Sequence, residues 1–200
     1  MLRLGIDCGR LGGAVLVRKN GDRWQVLKVA IFDNRWNEKT QISFDQALIR
    51  SHHQIKAFLL QVIDLREDNE AIIVNIESPE EFNKARISNV QSFARLNQMV
   101  ASARIAALEV AESYPYIAVS AINPLAAKRA VLRPCDIRKE PRNKMGKEKV
   151  IVRAKMLGIW NGIWNWSKEV KPRAKKNGKR VPNERSETVG DAFSIALVGA

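Results

Sequence analysis

Three strand-like runs open this chain with no helical segment between them, and that order narrows the fold more than any other feature. Leu2 to Asp7 reads as a buried strand, Cys8 to Gly12 as a turn, and Gly13 to Arg18 as a second strand. Asn20-Gly21-Asp22 is a hairpin signal, because Asn-Gly accepts the positive φ that a tight two-residue connection demands. Trp24 to Phe32 then returns as a third strand, so the N-terminus is an antiparallel meander.

Helices and strands alternate after that. Ser43-Phe44-Asp45-Gln46 is a capping box, and Ala47, Leu48, Ile55, Phe58, Leu59, Val62 and Ile63 follow at helical spacing, predicting a helix to about Leu65. Ala71 to Ile76, ending in Glu77, is a short β-branched strand. A helix rich in small residues is expected over Val90 to Ser113, a fifth strand over Tyr116 to Ala121, and a short helix from Asn123-Pro124, with Pro in the first turn. Lys147 to Trp164 reads as a helix, with Ile159, Trp160, Ile163 and Trp164 at core spacing, and Thr188 to Val198 as the last helix. The order β-β-β-α-β-α-β-α implies an α/β fold: a five-stranded mixed sheet, meander plus parallel strands, flanked by helices. It is the order of the RNase H-like fold. One domain over 1–200 is expected, with basic insertions near 133–144 and 167–186.

The charge is as unevenly spread as it is large. The net formal charge is +13, but Met1 to Val119 carries 15 Lys and Arg against 14 Asp and Glu. Ser120 to Ser186 carries 19 against 5. A basic block confined to one third of a chain points to a polyanion, most simply nucleic acid. No apolar run approaches a membrane span of roughly 18 residues. The chain enters a strand at once, which leaves no room for a leader peptide, so a cytoplasmic protein is expected, in a bacterial cell or a virus-infected host. Cys8 and Cys135 match no metal spacing and are expected as reduced thiols. His52-His53 has no partner at metal spacing and is expected on the surface.

Four acids stand out by position. Asp7 ends the first strand and Glu77 the fourth; Glu187 and Asp191 lie four apart at the start of the last helix, which puts both on one helix face. Singly, each has a plain reading: a turn former, a solvated strand end, a complement to the helix dipole. Together they would converge, since the first and fourth strands are neighbours in such a sheet. Converging carboxylates repel and raise one another's pKa, so they imply cations. Hard oxygen ligands suit Mg²⁺, with Mn²⁺ able to substitute, and two such ions can clamp the attacking and leaving oxygens of a phosphoryl displacement.

At this point a family resemblance emerges. Leu4-Gly5-Ile6-Asp7-Cys8-Gly9 is similar to the opening strand of the RuvC-type Holliday-junction resolvases, with Cys8 where that family usually has Pro. Ile73-Val74-Asn75-Ile76-Glu77 resembles the second acidic motif, Lys128-Arg129-Ala130-Val131 and Gly146-Lys147-Glu148-Lys149-Val150 resemble the two lysine motifs, and Asp191-Ala192-Phe193-Ser194-Ile195-Ala196-Leu197 resembles the ending. The resemblance implies a homodimeric, Mg²⁺-dependent endonuclease that cuts branched DNA, leaving a 5′-phosphate and a 3′-hydroxyl. Asp7, Glu77, Glu187 and Asp191 would hold the metals, and Lys128 and Lys149 would contact phosphates near the cut. The expected nucleic-acid contacts are Lys128, Arg129, Lys147, Lys149, Lys175, Lys176, Lys179 and Arg180. Two positions depart from the pattern. Three residues before the last Asp the family has an acid or His, where this chain has Thr188, so the fourth ligand is Glu187 or another group. Phe82, late after Glu77, reads equally as a junction wedge or as a loop-anchoring side chain. The competing functions are a nuclease of RNA–DNA hybrids or structured RNA, and a non-catalytic nucleic-acid binder.

Overall fold

The computed structural model describes residues 1–36, 42–78, 90–133, 147–166, 168–170 and 180–199. Their order is β1 (Leu2–Asp7), β2 (Leu11–Asn20), β3 (Arg23–Asp33), α1 (Phe44–Ile63), β4 (Ile72–Glu77), α2 (Val90–Ser113), β5 (Ile117–Ile122), α3 (Pro124–Val131), α4 (Lys147–Leu157), β6 (Gly158–Ile159), β7 (Lys168–Val170), β8 (Arg180–Pro182) and α5 (Glu184–Ala196). The capping box at Ser43 and Gln46 closes in both directions, at 2.9 and 3.1 Å, and Gly21 takes a φ of +56° in the hairpin. Among the described residues no helix is long and apolar enough to cross a membrane.

The sheet runs β5-β4-β1-β2-β3-β6. β1 to β3 form the antiparallel meander, while β4 lies parallel to β1 and β5 parallel to β4. Because side chains alternate across a strand, each strand feeds two cores. Leu2, Leu4, Ile6, Ile72, Val74 and Ile76 pack with Ile55, Phe58 and Leu59 of α1 and Val100, Ala103 and Ala107 of α2. On the other face Val15, Val17 and Val26 pack with Val131 of α3, Val150 and Ala154 of α4, and Val189, Ala192, Phe193 and Ala196 of α5. The molecule is a three-layer α/β/α sandwich. α5 is buried nearly all round, as a helix must be when it lies between a sheet and two further helices.

The structure corrects five details of the sequence reading. The sheet has six strands, since β6 adds two residues parallel to Trp24 and Gln25 of β3. The helix expected over Lys147–Trp164 stops at Leu157. Its end is closed by the Trp160 indole donating to the Ala154 carbonyl at 3.0 Å, and the chain then turns through Asn161 and Gly162, both at positive φ. Trp160 is a core residue as expected, packed on Phe193 and Trp166. The last helix begins at Glu184, four residues early, because the Asn183 side chain accepts the Ser186 N–H at 2.7 Å and caps it. The basic insertion expected near 167–186 therefore ends in a helical turn, and it also contains the β7–β8 antiparallel pair. The basic insertion expected near 133–144 lies outside the described residues beyond Arg133, as does Cys135. His52 is half-buried, its Nε2 3.2 Å from Glu109.

Candidate active site

The strands place two of the four acids by their register. β1 and β4 pair in parallel through Ile6 and Ile76. The next step along both strands sets Asp7 beside Glu77, on neighbouring strands about 4.8 Å apart. Side-chain alternation puts Arg3, Gly5 and Asp7 on one face, and with them Ile73, Asn75 and Glu77. That face is the one α5 covers: a Cβ on Gly5 would lie 2.0 Å from the Ala192 carbonyl oxygen and 2.4 Å from the Ala196 amide. Glycine is required there because the helix backbone lies directly on the strand backbone.

Two further contacts fix the direction of the helix. Thr188 packs its methyl on Gly13, where an added Cβ would lie 2.6 Å from Thr188 Cγ2, and Gly13 pairs with Asp7. Asn75 donates to the Ile195 carbonyl at 3.0 Å. So α5 runs antiparallel to β1, with its N-terminal turns at the strand ends that carry the acids. Asp191 stands one turn before Ile195, and Glu77 stands two residues after Asn75; a helical turn and two strand residues advance similar distances, about 5–7 Å. The backbone of Asp191 therefore lies toward the end of the sheet where β1 and β4 carry Asp7 and Glu77. Glu187 lies one turn further, in the helix's first turn, and both helix acids are partly exposed. Thr188, three before Asp191, is buried in packing, with its hydroxyl 3.5 Å from the Leu11 carbonyl.

Electrostatics at the strand ends reports the same crowding. Cys8 is buried, and burial pushes its thiol well above the usual range; the Asp7 and Glu77 charges push it further in the same direction. As the side chains stand, no group of three or more His, Cys, Asp or Glu among the described residues could hold a metal ion. The structure supplies two neighbouring strand carboxylates, with a third and a fourth on the helix that crosses them.

The expected basic residues divide. β5 ends at Ile122, which pairs with Glu77, and α3 starts just beyond it, capped by the Asn123 side chain, whose oxygen accepts the Leu125 N–H at 2.7 Å. Lys128 is on this helix about 6 Å of rise from Pro124. Lys149 is on α4, beside Val150 and Ile151, which meet α5 at Gly190. Arg129 is not near the acids: it lines a shallow cavity with Lys19, Trp24 and Val198, beside the β2–β3 hairpin at the opposite end of the sheet. The backbones of Lys147 and Arg180 belong to α4 and β8. Phe82, Lys175, Lys176 and Lys179 lie outside the described residues. Sequence reasoning missed Arg3, Gly5, Gly13 and Asn75, although the period-two pattern Arg3-Gly5-Asp7 and the polar Asn75 inside an apolar strand were visible signals.

No protein-family model matches the chain, and no curated protein matches it by sequence. Solved structures do match. RuvC of T. thermophilus, in complex with a Holliday junction substrate, superposes with a TM-score of 0.58 at 18% identity, over 99% of this chain and 91% of that one. The large terminase of a thermophilic bacteriophage matches at a TM-score of 0.40 and 10% identity, over 98% of this chain and 38% of that one. The chain has a RuvC-like, RNase H-like fold.

Proposed function

We propose that this protein is a divalent-metal-dependent endonuclease that resolves four-way DNA junctions and related branched DNA. The observation that carries the reading is the register that sets Asp7 and Glu77 at adjacent strand ends on the face α5 covers, in a fold shared with a protein solved on a Holliday junction. An all-carboxylate donor set suits Mg²⁺ or Mn²⁺. Asp7, Glu77 and Asp191 would hold the metal, with Glu187 as the fourth acid and two ions per site. Carboxylates this close repel without a cation, so the reading requires metal and DNA to draw the helix acids in. When bound, the metals supply an activated water and a clamp on the scissile phosphate.

The chain's own groups do the rest. Lys128 and Lys149, on two helices that pack against α5, would meet phosphates flanking the cut and offset charge that develops there. Lys147, Lys175, Lys176, Lys179 and Arg180 belong to the block that carries nearly all the surplus charge, and would hold DNA arms through their phosphates. Arg129 would contribute only if an arm reaches the hairpin end of the sheet.

A four-way junction needs two symmetry-related cuts, and a two-fold dimer matches that need. Support for a homodimer comes from the outer face of α1 and α2. Ile49, Leu60, Ile105 and Leu108 on these helices stay about half exposed, at 58%, 43%, 53% and 49%, and Ile49 and Ile105 line a groove with Leu48, His52, His53 and Ala101. A substrate panel tests the whole reading: labelled junction, fork, RNA–DNA hybrid and linear duplex, each with and without Mg²⁺. Paired nicks in the junction alone or above all others are expected. Preferential cutting of the hybrid would replace the reading with a hybrid nuclease, and binding without any cutting would leave a non-catalytic binder.

A further inference from the structure

Asp7 and Glu77 are held by strands, but Asp191 rides on a helix whose height along the sheet nothing covalent sets. Apolar packing alone is a poor ruler for that height, because it is non-directional. Two buried polar side chains grip the far end of α5. Asn75, 2% exposed, sends its Nδ2 to the Ile195 carbonyl at 3.0 Å and the Val198 carbonyl at 3.4 Å. Arg3, 5% exposed, sends Nη1 to the Val198 carbonyl at 2.6 Å and Nη2 to the Gly199 carbonyl at 2.5 Å. Both come from the strands that carry the acids, on the same face. On β1 the order is Arg3, Gly5, Asp7; on β4 it is Ile73, Asn75, Glu77.

We infer that Arg3 and Asn75 are positioning residues for the acidic site: they lock the C-terminal end of α5 onto β1 and β4, and so set where Asp191 stands over Asp7 and Glu77. Gly5, midway along the same face, lets the helix sit close enough for the lock to engage. The arrangement is costly in a way that packing would not be. A guanidinium is expensive to bury, and Arg3 Nε has no hydrogen-bond partner among the described residues. Apolar residues at positions 3 and 75 would avoid both costs and still fill the core. What they would lose is direction: a hydrogen bond from a fixed strand to a helix carbonyl has an optimum of a few tenths of an ångström. A cation at the helix C-terminus is also favoured by the helix dipole.

The inference rests on the proposed metal-dependent reading, and the test separates the two. Mn²⁺ binding is followed by electron paramagnetic resonance of the free ion, alongside junction affinity in Ca²⁺, single-turnover cleavage against Mg²⁺ concentration, and thermal melting. Asn75→Leu, of similar size, is expected to weaken Mn²⁺ binding about 10-fold or more, as loss of outer support to metal ligands commonly does. It should raise the Mg²⁺ needed for half-maximal cleavage and lower kcat, with junction affinity unchanged. Arg3→Met should act in the same direction, and Arg3→Lys, which keeps a cationic donor, should recover most of the loss. Wild-type Mn²⁺ affinity and Mg²⁺ dependence in folded Asn75→Leu would overturn the inference. If that variant does not fold, equal Mn²⁺ affinities for Arg3→Met and Arg3→Lys would overturn it instead. A wild-type protein that binds no Mn²⁺ would overturn the metal-dependent reading and this inference with it.

Discussion

Adding one methyl group at Gly5 perturbs this fold without removing any functional group. The Cβ of Gly5→Ala would sit 2.0 Å from the Ala192 carbonyl oxygen and 2.4 Å from the Ala196 amide, both backbone atoms of α5. Ordinary contact begins at 3.4 Å, so the helix must retreat by about 1.4 Å (3.4 less 2.0), and no side chain can absorb the shift by turning away. Overpacking of this kind costs typically about 1–3 kcal/mol. We expect the upper end, about 3 kcal/mol, because α5 is pinned from the opposite side, where Gly190 meets Ile151 and Val150 of α4. The same retreat carries Asp191 away from Asp7 and Glu77, and a misplacement of about 1 Å can cost on the order of 100-fold in rate. Urea unfolding followed by circular dichroism measures the first effect. Single-turnover junction cleavage, scaled to the folded fraction, measures the second, and junction binding should survive. A Gly5→Ala protein with wild-type stability and wild-type cleavage would refute the placement of α5 on β1.

Other expectations follow from the same geometry. Glu187→Gln should lower cleavage far more than Thr188→Ala, because only Glu187 offers a carboxylate while Thr188 is spent in packing against Gly13 and Leu11; Thr188→Ala should instead lower the melting temperature, and the reverse ranking of cleavage rates would show that the helix acids are wrongly paired. Neutralising Lys175, Lys176, Lys179 and Arg180 together should weaken DNA binding uniformly across sequences and reduce the salt slope of log affinity by about 0.9 for each phosphate that is no longer neutralised; an unchanged slope would mean that this segment faces away from DNA. Sedimentation equilibrium at micromolar concentration should give about twice the 22.6 kDa chain mass, and Ile105→Asp with Leu108→Asp should return it to one; a monomeric wild type that cuts both strands in concert would contradict the dimer.

The elements that were legible in the sequence share a local cause. The meander is carried by short strand-like runs and by Asn20-Gly21, α1 by its capping box, and α3 by Asn123-Pro124; each signal is complete within a few residues. The misreadings have local causes too. Ile159, Trp160, Ile163 and Trp164 imitate a helical period, but Trp160 folds back on Ala154 to end the helix, and its partners are Trp166 and Phe193. The sequence places the start of α5 at Thr188 because Pro182 and Asn183 sit within the basic segment, although Asn183 is a capping residue. What the sequence could not show is how the site is braced. Asn75 meets a carbonyl 120 residues away and Arg3 one 195 residues away, and no local pattern encodes such pairings. The acids stand out in the sequence because strand ends and helix starts are local signals, and the register of a parallel sheet sets Asp7 beside Glu77.

Whether Asp7 belongs to a metal-dependent cutting site or merely to a turn decides the function proposed for this fold. The direct measurement is cleavage and binding of one labelled four-way junction by the wild type and by Asp7→Asn, with Mg²⁺ and with EDTA. Paired, symmetric nicks are expected from the wild type in Mg²⁺ and none in EDTA, with an Asp7→Asn protein that binds the junction with wild-type affinity yet does not cut it. Cleavage by Asp7→Asn near the wild-type rate, or by the wild type in EDTA, would contradict a metal site at Asp7.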